Sequence, residues 1–171
     1  TNGLIASDGS LDLHLGGTLN GAGRITSQGD LSLSAAQLNL SNTASVAGGG
    51  LTSANITGTL NNAGRLTSAN DLIINAGAIN NTATLGSAQK LTATSGALLN
   101  DHGLIFSGGD MSLRVDTLTN SYADVYSLGA SLYHLVTRQP PIPGGHPLEV
   151  LGSSPTVEPR RLRAIDPSIP A

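Results

Sequence analysis

From residue 1 to residue 127, the chain repeats a pattern of apolar and polar positions with a period of about twenty. One apolar column recurs every nineteen to twenty-one positions, and it consists of Ile5, Ile25, Val46, Leu66, Leu85, Ile105 and Val125. A second column recurs at the same spacing, and it consists of Leu11, Leu31, Leu51, Leu72, Leu91 and Met111. Columns that keep one period through six units indicate a repeat architecture, in which each unit forms one layer.

Within a unit, the apolar positions alternate with polar ones. In "SLDLHL", Leu11, Leu13 and Leu15 fall on one face, and Asp12 and His14 fall on the other. This is the pattern of a short strand with one buried face, and "DMSLRV" in the sixth unit repeats it. Segments such as "NGAGR" and "NNAGR" separate the strands with residues that accept turn conformations. The sequence therefore predicts an all-β fold, a right-handed parallel β-helix of about six coils with a short helical and Pro-rich C-terminal tail.

A third column consists of asparagine and closes each unit. Its members are Asn20, Asn39, Asn61, Asn80, Asn100 and Asn120. Amide side chains that recur at one corner of stacked coils can hydrogen-bond to the coils above and below, so we expect a single ladder. The unit over residues 40–61 is longer and less regular than the others.

The pattern changes near residue 124. All eight prolines lie at Pro140 or later, and proline cannot donate a hydrogen bond to a β ladder. Extending the repeat keeps Val125 and Gly129 in register, but Ser131 then falls in the column of Leu and Met. The repeat therefore loses its phase after residue 129.

The same segment fits a helix. Asp124 is a suitable N-cap, and an apolar stripe with helical spacing follows it at Val125, Leu128, Leu132, Leu135 and Val136. We interpret this segment as a helix, and we predict two domains. Residues 1–123 form the β-helix repeats, and residues 124–171 form a tail of one or two helices and an irregular segment.

Composition narrows the functional classes. Aromatic residues make up 2% and charged residues 11% of the chain, and the formal net charge is −3, so we expect no nucleic-acid partner. No apolar run is long enough for a membrane span, and the first residues do not resemble a signal peptide. The chain has no cysteine, which excludes disulfides and thiolate metal sites.

Candidate reactive residues do not form a recognisable motif. The four histidines, His14, His102, His134 and His146, are scattered, and Asp101 beside His102 falls at a turn without a nucleophile motif. "GGD" at residues 108–110 is similar to calcium-binding repeats, but the period of twenty does not fit them. Arg160, Arg161 and Arg163 could contact phosphate, although a solvated tail is the simpler interpretation. We predict no catalytic, cofactor-binding or metal-binding residues, no cofactor and no enzyme activity.

The segments "GRITSQGDLSLSAAQLN" and "NAGRLTSANDLIINAGAIN" resemble the filamentous haemagglutinin-type repeats of two-partner-secreted bacterial exoproteins, which include adhesins and contact-dependent growth-inhibition toxins. The resemblance covers residues 1–129. It implies a non-catalytic stalk that is secreted through an outer-membrane partner to a Gram-negative cell surface, where the parent protein engages a host or bacterial receptor. Open terminal coils would favour end-to-end self-association.

From Asp124, "DVYSLGASLYHLVTRQPPIPGGHPLEVL" and then "PRRLRAIDPSIPA" resemble the C-terminal lobe of bacterial Ser/Thr protein kinases, over residues 124–171. The resemblance gives Asp124 the role of the helix-start aspartate that holds the catalytic loop. The phosphate loop, its lysine and the catalytic and magnesium-binding motifs are missing from the sequence, which excludes kinase activity. We predict a structural stalk segment; the alternatives are an interaction module that uses the tail, or a non-functional chimera.

Overall fold

The structure is a computed structural model, and it describes residues 3–127. These residues form fifteen strands and no helix. The strands are β1 Leu4–Ser7, β2 Leu11–His14, β3 Thr18–Gly21, β4 Arg24–Ser27, β5 Leu31–Ala35, β6 Gln37–Leu40, β7 Ser45–Gly48, β8 Thr52–Asn62, β9 Arg65–Ser68, β10 Leu72–Asn81, β11 Thr84–Ser87, β12 Leu91–Asp101, β13 Leu104–Ser107, β14 Met111–Ser121 and β15 Asp124–Ser127.

The strands form two parallel sheets that wind along one axis. The seven short strands β1, β4, β7, β9, β11, β13 and β15 pair in that order in the first sheet. The second sheet has the order β14-β12-β10-β8-β5-β2, and β3 pairs with β6, which pairs with β8. Neighbouring strands in a sheet are one coil apart along the chain, so the fold is a β-solenoid of about six turns. The predicted all-β fold is confirmed.

The first apolar column is confirmed at each of its seven positions. Ile5, Ile25 and Val46 pair in register, and the pairing continues without a shift to Val125. These side chains point inward, and Leu66 and Leu85 are at most 1% exposed. The core is built from Leu, Ile, Val and Ala. One coil cannot cover its own inward face, so each coil is stabilised by its neighbours.

The second column contains one error. Leu31 pairs with Thr52 and not with Leu51, and Thr52 is in turn paired with Leu72. Thr52 is 1% exposed, whereas Leu51 is half-buried in the turn before the strand, where its N–H donates to Asp30 Oδ1 at 2.8 Å. The spacing from Leu31 to its partner Thr52 is therefore one residue longer than the predicted column had it. The next spacing, from Thr52 to Leu72, is one residue shorter.

The irregular unit over residues 40–61 has two structural causes. The turn between β6 and β7 spans residues 41–44, whereas Ala63 and Gly64 alone separate β8 from β9. Strand β8 also carries one extra residue at a bulge, where the pairing with β10 shifts between Ala76 and Ala78. A bulge bends its strand and leaves the flanking pairs in register, so the solenoid absorbs both insertions.

The long strands turn a corner of the coil. In β12, Leu91, Ala93 and Ser95 point inward, and the next inward residue is Leu98. Two consecutive exposed residues separate Ser95 from Leu98, so the alternation changes phase there. One long strand thereby contributes to two walls of the solenoid.

The predicted helix start at Asp124 is wrong for the residues that the structure describes. Asp124–Ser127 is strand β15, and it pairs in register with Leu104–Ser107. The edge of β13 offers backbone partners at this point, and a strand satisfies them where a helical turn would not. The rest of the predicted helix and tail lies outside the described residues, and the division of the chain at residue 123 stays a prediction.

Candidate functional site

Two columns of asparagine lie side by side at the turn that leads from the second sheet to the first. The sequence predicted a single ladder. The inner ladder consists of Asn62, Asn81, Asn100 and Asn120. Each of the first three donates from Nδ2 to Oδ1 of the asparagine in the next coil, at 2.7, 2.7 and 2.8 Å. The first three side chains are at most 1% exposed. Asn81 Oδ1 also accepts the Ala83 N–H, and its Nδ2 donates to the Ala83 carbonyl. The inner amides therefore close the turn as well as linking the coils.

The outer ladder consists of Asn20, Asn39, Asn61 and Asn80, one residue before the inner column. Here each of the last three donates from Nδ2 to Oδ1 of the asparagine in the preceding coil, at 2.8, 2.7 and 2.8 Å. In the fifth coil, Asn80 pairs with Leu99 and not with Asn100. The predicted single column therefore crosses from the outer ladder to the inner ladder after Asn80.

The last turns carry an exposed aromatic pair. The rings of His102 and Tyr122 stack with centroids 5.2 Å apart at an interplanar angle of 25°. Both residues have a left-handed backbone, with φ of 56° and 48°, a conformation that non-glycine residues adopt infrequently. Their turns are one residue longer than the turn between β10 and β11, because Asn100 lies one position farther from Leu104 than Asn81 lies from Thr84. The extra residue projects outward, and Tyr122 is 88% exposed.

Asp101 completes this turn. Its Oδ1 lies 2.8 Å from His102 Nδ1, and the side chains of His102 and Asp101 are 69% and 44% exposed. No hydroxyl or other nucleophile is bonded to this histidine among the described residues. The geometry is that of a solvated turn in which the carboxylate orients the imidazole, and the imidazole stacks on Tyr122 of the next coil.

Phe106 lies on the outside of the first sheet, over the preceding coil. A Cβ on Gly86 would collide with the Phe106 ring, and Gly86 is buried beneath that ring. The two residues are directly paired between β11 and β13. An aromatic ring on the outer surface is thus accommodated because its neighbour in the adjacent coil has no side chain.

An apolar recess of about 300 Å³ lies at the N-terminal end of the solenoid. It is lined mainly by Leu4, Ile5, Leu19, Ile25 and Leu40. The lining belongs to the first coils, and Leu4 is 66% exposed. The recess lies at the end of the described core, and its lining also includes the polar residues Asn20 and Arg24.

A comparison with protein-family models shows which family the chain belongs to. The family model described as "Haemagglutinin repeat" matches residues 1–83 and again residues 74–122. The chain belongs to the haemagglutinin repeat family. The two matches cover all six coils, from β1 to the end of β14, so the family and the solenoid describe the same residues.

No curated protein and no solved structure matches the chain significantly. The haemagglutinin repeat and the solenoid together indicate a structural stalk of an adhesin-type exoprotein that is secreted or held at the cell surface. Within residues 3–127 there is no helix with the length and apolarity to cross a membrane.

The comparisons provide no evidence for the kinase resemblance of residues 124–171. The match to the haemagglutinin repeat ends at residue 122, before the segment that carries the resemblance. The helix-start role that the resemblance gave to Asp124 does not apply, because Asp124 begins strand β15.

The remaining sequence candidates are dispersed over the haemagglutinin repeats. His14 hydrogen-bonds to Ser34 of the next coil, far along the axis from His102. Asp110 is exposed in the turn before β14. In the described part of the chain, no three His, Asp or Glu side chains are grouped so that they could hold a metal ion. His134, His146, Arg160, Arg161 and Arg163 lie outside the described residues.

Proposed function

We propose that the solenoid is a rigid, non-catalytic stalk segment of a Gram-negative exoprotein, either an adhesin or a contact-dependent growth-inhibition protein. The parent protein would be exported with an outer-membrane partner and would engage its receptor elsewhere. The observation that carries the proposal is the unbroken parallel pairing from β1 to β15, which supports a spacer.

Rigidity follows from how the coils are connected. The outward column of His14, Ser34, Asn55, Asn75, Thr94 and Arg114 runs along the axis in continuous register. Because backbone hydrogen bonds fix neighbouring strands about 4.8 Å apart, five steps along this column span about 24 Å. Stretching the stalk would break whole ladders of hydrogen bonds, so the axial distance should vary little.

A pair of spin labels tests this property. The chain has no cysteine, so His14→Cys and Arg114→Cys give two unique attachment sites that are both exposed. We expect one narrow distance distribution in pulsed electron paramagnetic resonance, centred at about 24 Å after allowance for the label arms. A matched pair, Asn55→Cys with Arg114→Cys, should give about 14 Å for its three steps.

The ratio of the two distances provides the control. A spacer gives distances that increase linearly with the number of coils, whereas a module that flexes gives broad distributions for both pairs. A broad distribution in both samples, with β-type circular dichroism retained, would contradict the stalk proposal.

A further inference from the structure

The turns after β12 and β14 present an aromatic pair to solvent. His102 and Tyr122 occupy equivalent positions in these two turns, because Asp101 pairs with Ser121. The two rings stack with centroids 5.2 Å apart. Tyr122 is 88% exposed, and the His102 side chain is 69% exposed. Aromatic side chains ordinarily contribute to a core, whereas this core is built from Leu, Ile, Val and Ala. The pair is therefore a surface feature and takes no part in the packing of the core.

The backbone beneath both rings is strained. Within residues 3–127, His102 and Tyr122 are the non-glycine residues with positive φ, at 56° and 48°. This conformation brings Cβ close to the following carbonyl oxygen, and glycine at either position would remove the strain. One stacking contact between exposed rings recovers less free energy than two left-handed residues cost. The two turns thus hold their rings outward at a net loss of stability, which is typical of residues with a function.

The polar groups beside the rings are hydrogen-bond acceptors. Asp101 Oδ1 lies 2.8 Å from His102 Nδ1, and when Nδ1 carries the proton, Nε2 of the same ring is an acceptor. Asp124 is exposed two residues after Tyr122. Among the described residues, neither carboxylate is bridged to a lysine or an arginine. Arg65, in the same column as Asp124, lies three coils away, or about 14 Å. Aromatic faces beside such carboxylates favour a cation that carries N–H donors.

We propose that Asp101, His102 and Tyr122 bind an arginine side chain of a partner protein. A guanidinium is planar and weakly hydrated, so it stacks on an aromatic face while its N–H groups donate to a carboxylate. A lysine ammonium is a compact and strongly hydrated charge, so it fits this surface less well. The rings lie on the outside of the turns, so a partner can bind them while the coils stay paired. A stalk that acts only as a spacer does not require such a site.

Titration of the full chain with N-acetylarginine amide tests the proposal, with the chemical shifts of the His102 and Tyr122 rings as the readout. N-acetyllysine amide carries the same charge, and N-acetylcitrulline amide has nearly the same shape without the charge. We expect saturable shifts at both rings with the arginine probe, binding that is about fivefold weaker with the lysine probe, and no saturable shift with the citrulline probe. Equal affinity for the arginine and lysine probes, or saturation by the citrulline probe, would overturn the proposal.

Single substitutions locate the binding surface. Tyr122→Ala removes a stacking face, and Asp101→Asn removes a charge but leaves an acceptor for His102; each should weaken binding of the arginine probe about tenfold. His14→Ala is the control, because His14 is an exposed histidine that bonds to Ser34 in another part of the solenoid, and it should leave the affinity unchanged. All three variants should retain β-type circular dichroism. Unchanged affinity in Tyr122→Ala would show that only the net charge of −3 attracts the probe, and the proposal would be wrong.

Discussion

The inner and outer asparagine ladders run side by side along the same turn, but their environments differ. Asn81 of the inner ladder is 0% exposed and bonds to two neighbouring amides and to backbone groups. Asn80 of the outer ladder is half-buried, and its amide donates to Asn61. The two residues are adjacent in the chain. The comparison shows that strand alternation, and not residue type, decides whether an amide belongs to the core or to the surface.

The ladders also point in opposite directions. Inner amides donate toward the C-terminus, as Asn62 does to Asn81, and outer amides donate toward the N-terminus, as Asn39 does to Asn20. Because Asn62 and Asn81 accept the backbone N–H two residues ahead, each inner oxygen is held in place by its own turn. The direction of the inner ladder is therefore fixed by the backbone, whereas the outer ladder has only its neighbours to orient it.

Among substitutions that distinguish the inner ladder from the outer ladder, we expect Asn81→Ala to lower the free energy of unfolding the most. The substitution removes the donor to Asn100 Oδ1 and the acceptor of Asn62 Nδ2 in a site that water does not reach, and it leaves a cavity. We expect the free energy of unfolding to fall by about 4 kcal/mol, measured by urea denaturation.

Asn80→Ala is the matched control for this substitution. It removes the same side chain one residue earlier, where water can replace the lost hydrogen bond to Asn61. We expect a loss of about 1 kcal/mol. Equal losses for the two variants would show that the inner and outer ladders do not differ in energy, and the comparison would fail.

A smaller effect is expected when the inner ladder is extended by one coil. Leu40 is 3% exposed and pairs in register with Asn62. In Leu40→Asn, the new amide can donate to Asn62 Oδ1 in the direction that the ladder already follows. The hydrogen bond offsets part of the lost apolar burial, so we expect the free energy of unfolding to fall by about 2 kcal/mol in the same denaturation assay.

The same substitution at Leu38 separates ladder formation from simple burial of an amide. Leu38 lies in the same strand, is fully buried and pairs with Leu60, so an asparagine there has no amide partner in the next coil. The expected loss for Leu38→Asn is about 4 kcal/mol. If Leu40→Asn is as damaging as Leu38→Asn, a preformed ladder gives no advantage to an added amide.

The solenoid could be predicted from the sequence because the strongest pattern, the first apolar column, follows from a physical requirement of the fold. An inward position without a hydrogen-bond partner for a polar side chain must be apolar, and the column from Ile5 to Val125 is continuous both in sequence and in space. Alternation within "SLDLHL" likewise follows from the two faces of a strand, and Asp12 and His14 are exposed as predicted.

One-residue errors arose where turns vary in length. Leu51 fits the column by spacing, but Thr52 occupies it, because a threonine can be buried when its hydroxyl finds the Thr67 carbonyl at 3.5 Å. Asn100 fits the asparagine column by spacing, yet it belongs to the neighbouring ladder. A period that varies from nineteen to twenty-two cannot distinguish adjacent positions, which lie on opposite faces of a strand.

Two other features depended on the tertiary context. Asp124–Ser127 satisfies both a helical and a strand pattern, and the free edge of β13 selected the strand. The stack of His102 on Tyr122 requires a left-handed backbone at two non-glycine residues. No sequence signal marks that conformation at histidine or tyrosine, so this candidate site could not be derived from spacing.

The smallest predicted effect is a gain in stability from extending the outer ladder. Leu99 is 37% exposed and pairs in register with Asn80, whose Oδ1 accepts no hydrogen bond among the described residues. In Leu99→Asn, the new Nδ2 can donate to that oxygen, toward the N-terminus as in the rest of the outer ladder. The new hydrogen bond should outweigh the loss of a partly exposed leucine, so we expect the free energy of unfolding to rise by about 0.5 kcal/mol. Leu99→Ser, which removes the same apolar surface without reaching Asn80, should lower it. A lower stability for Leu99→Asn than for Leu99→Ser would show that the outer amides stack without stabilising the coils, and that the inner ladder alone holds this corner together.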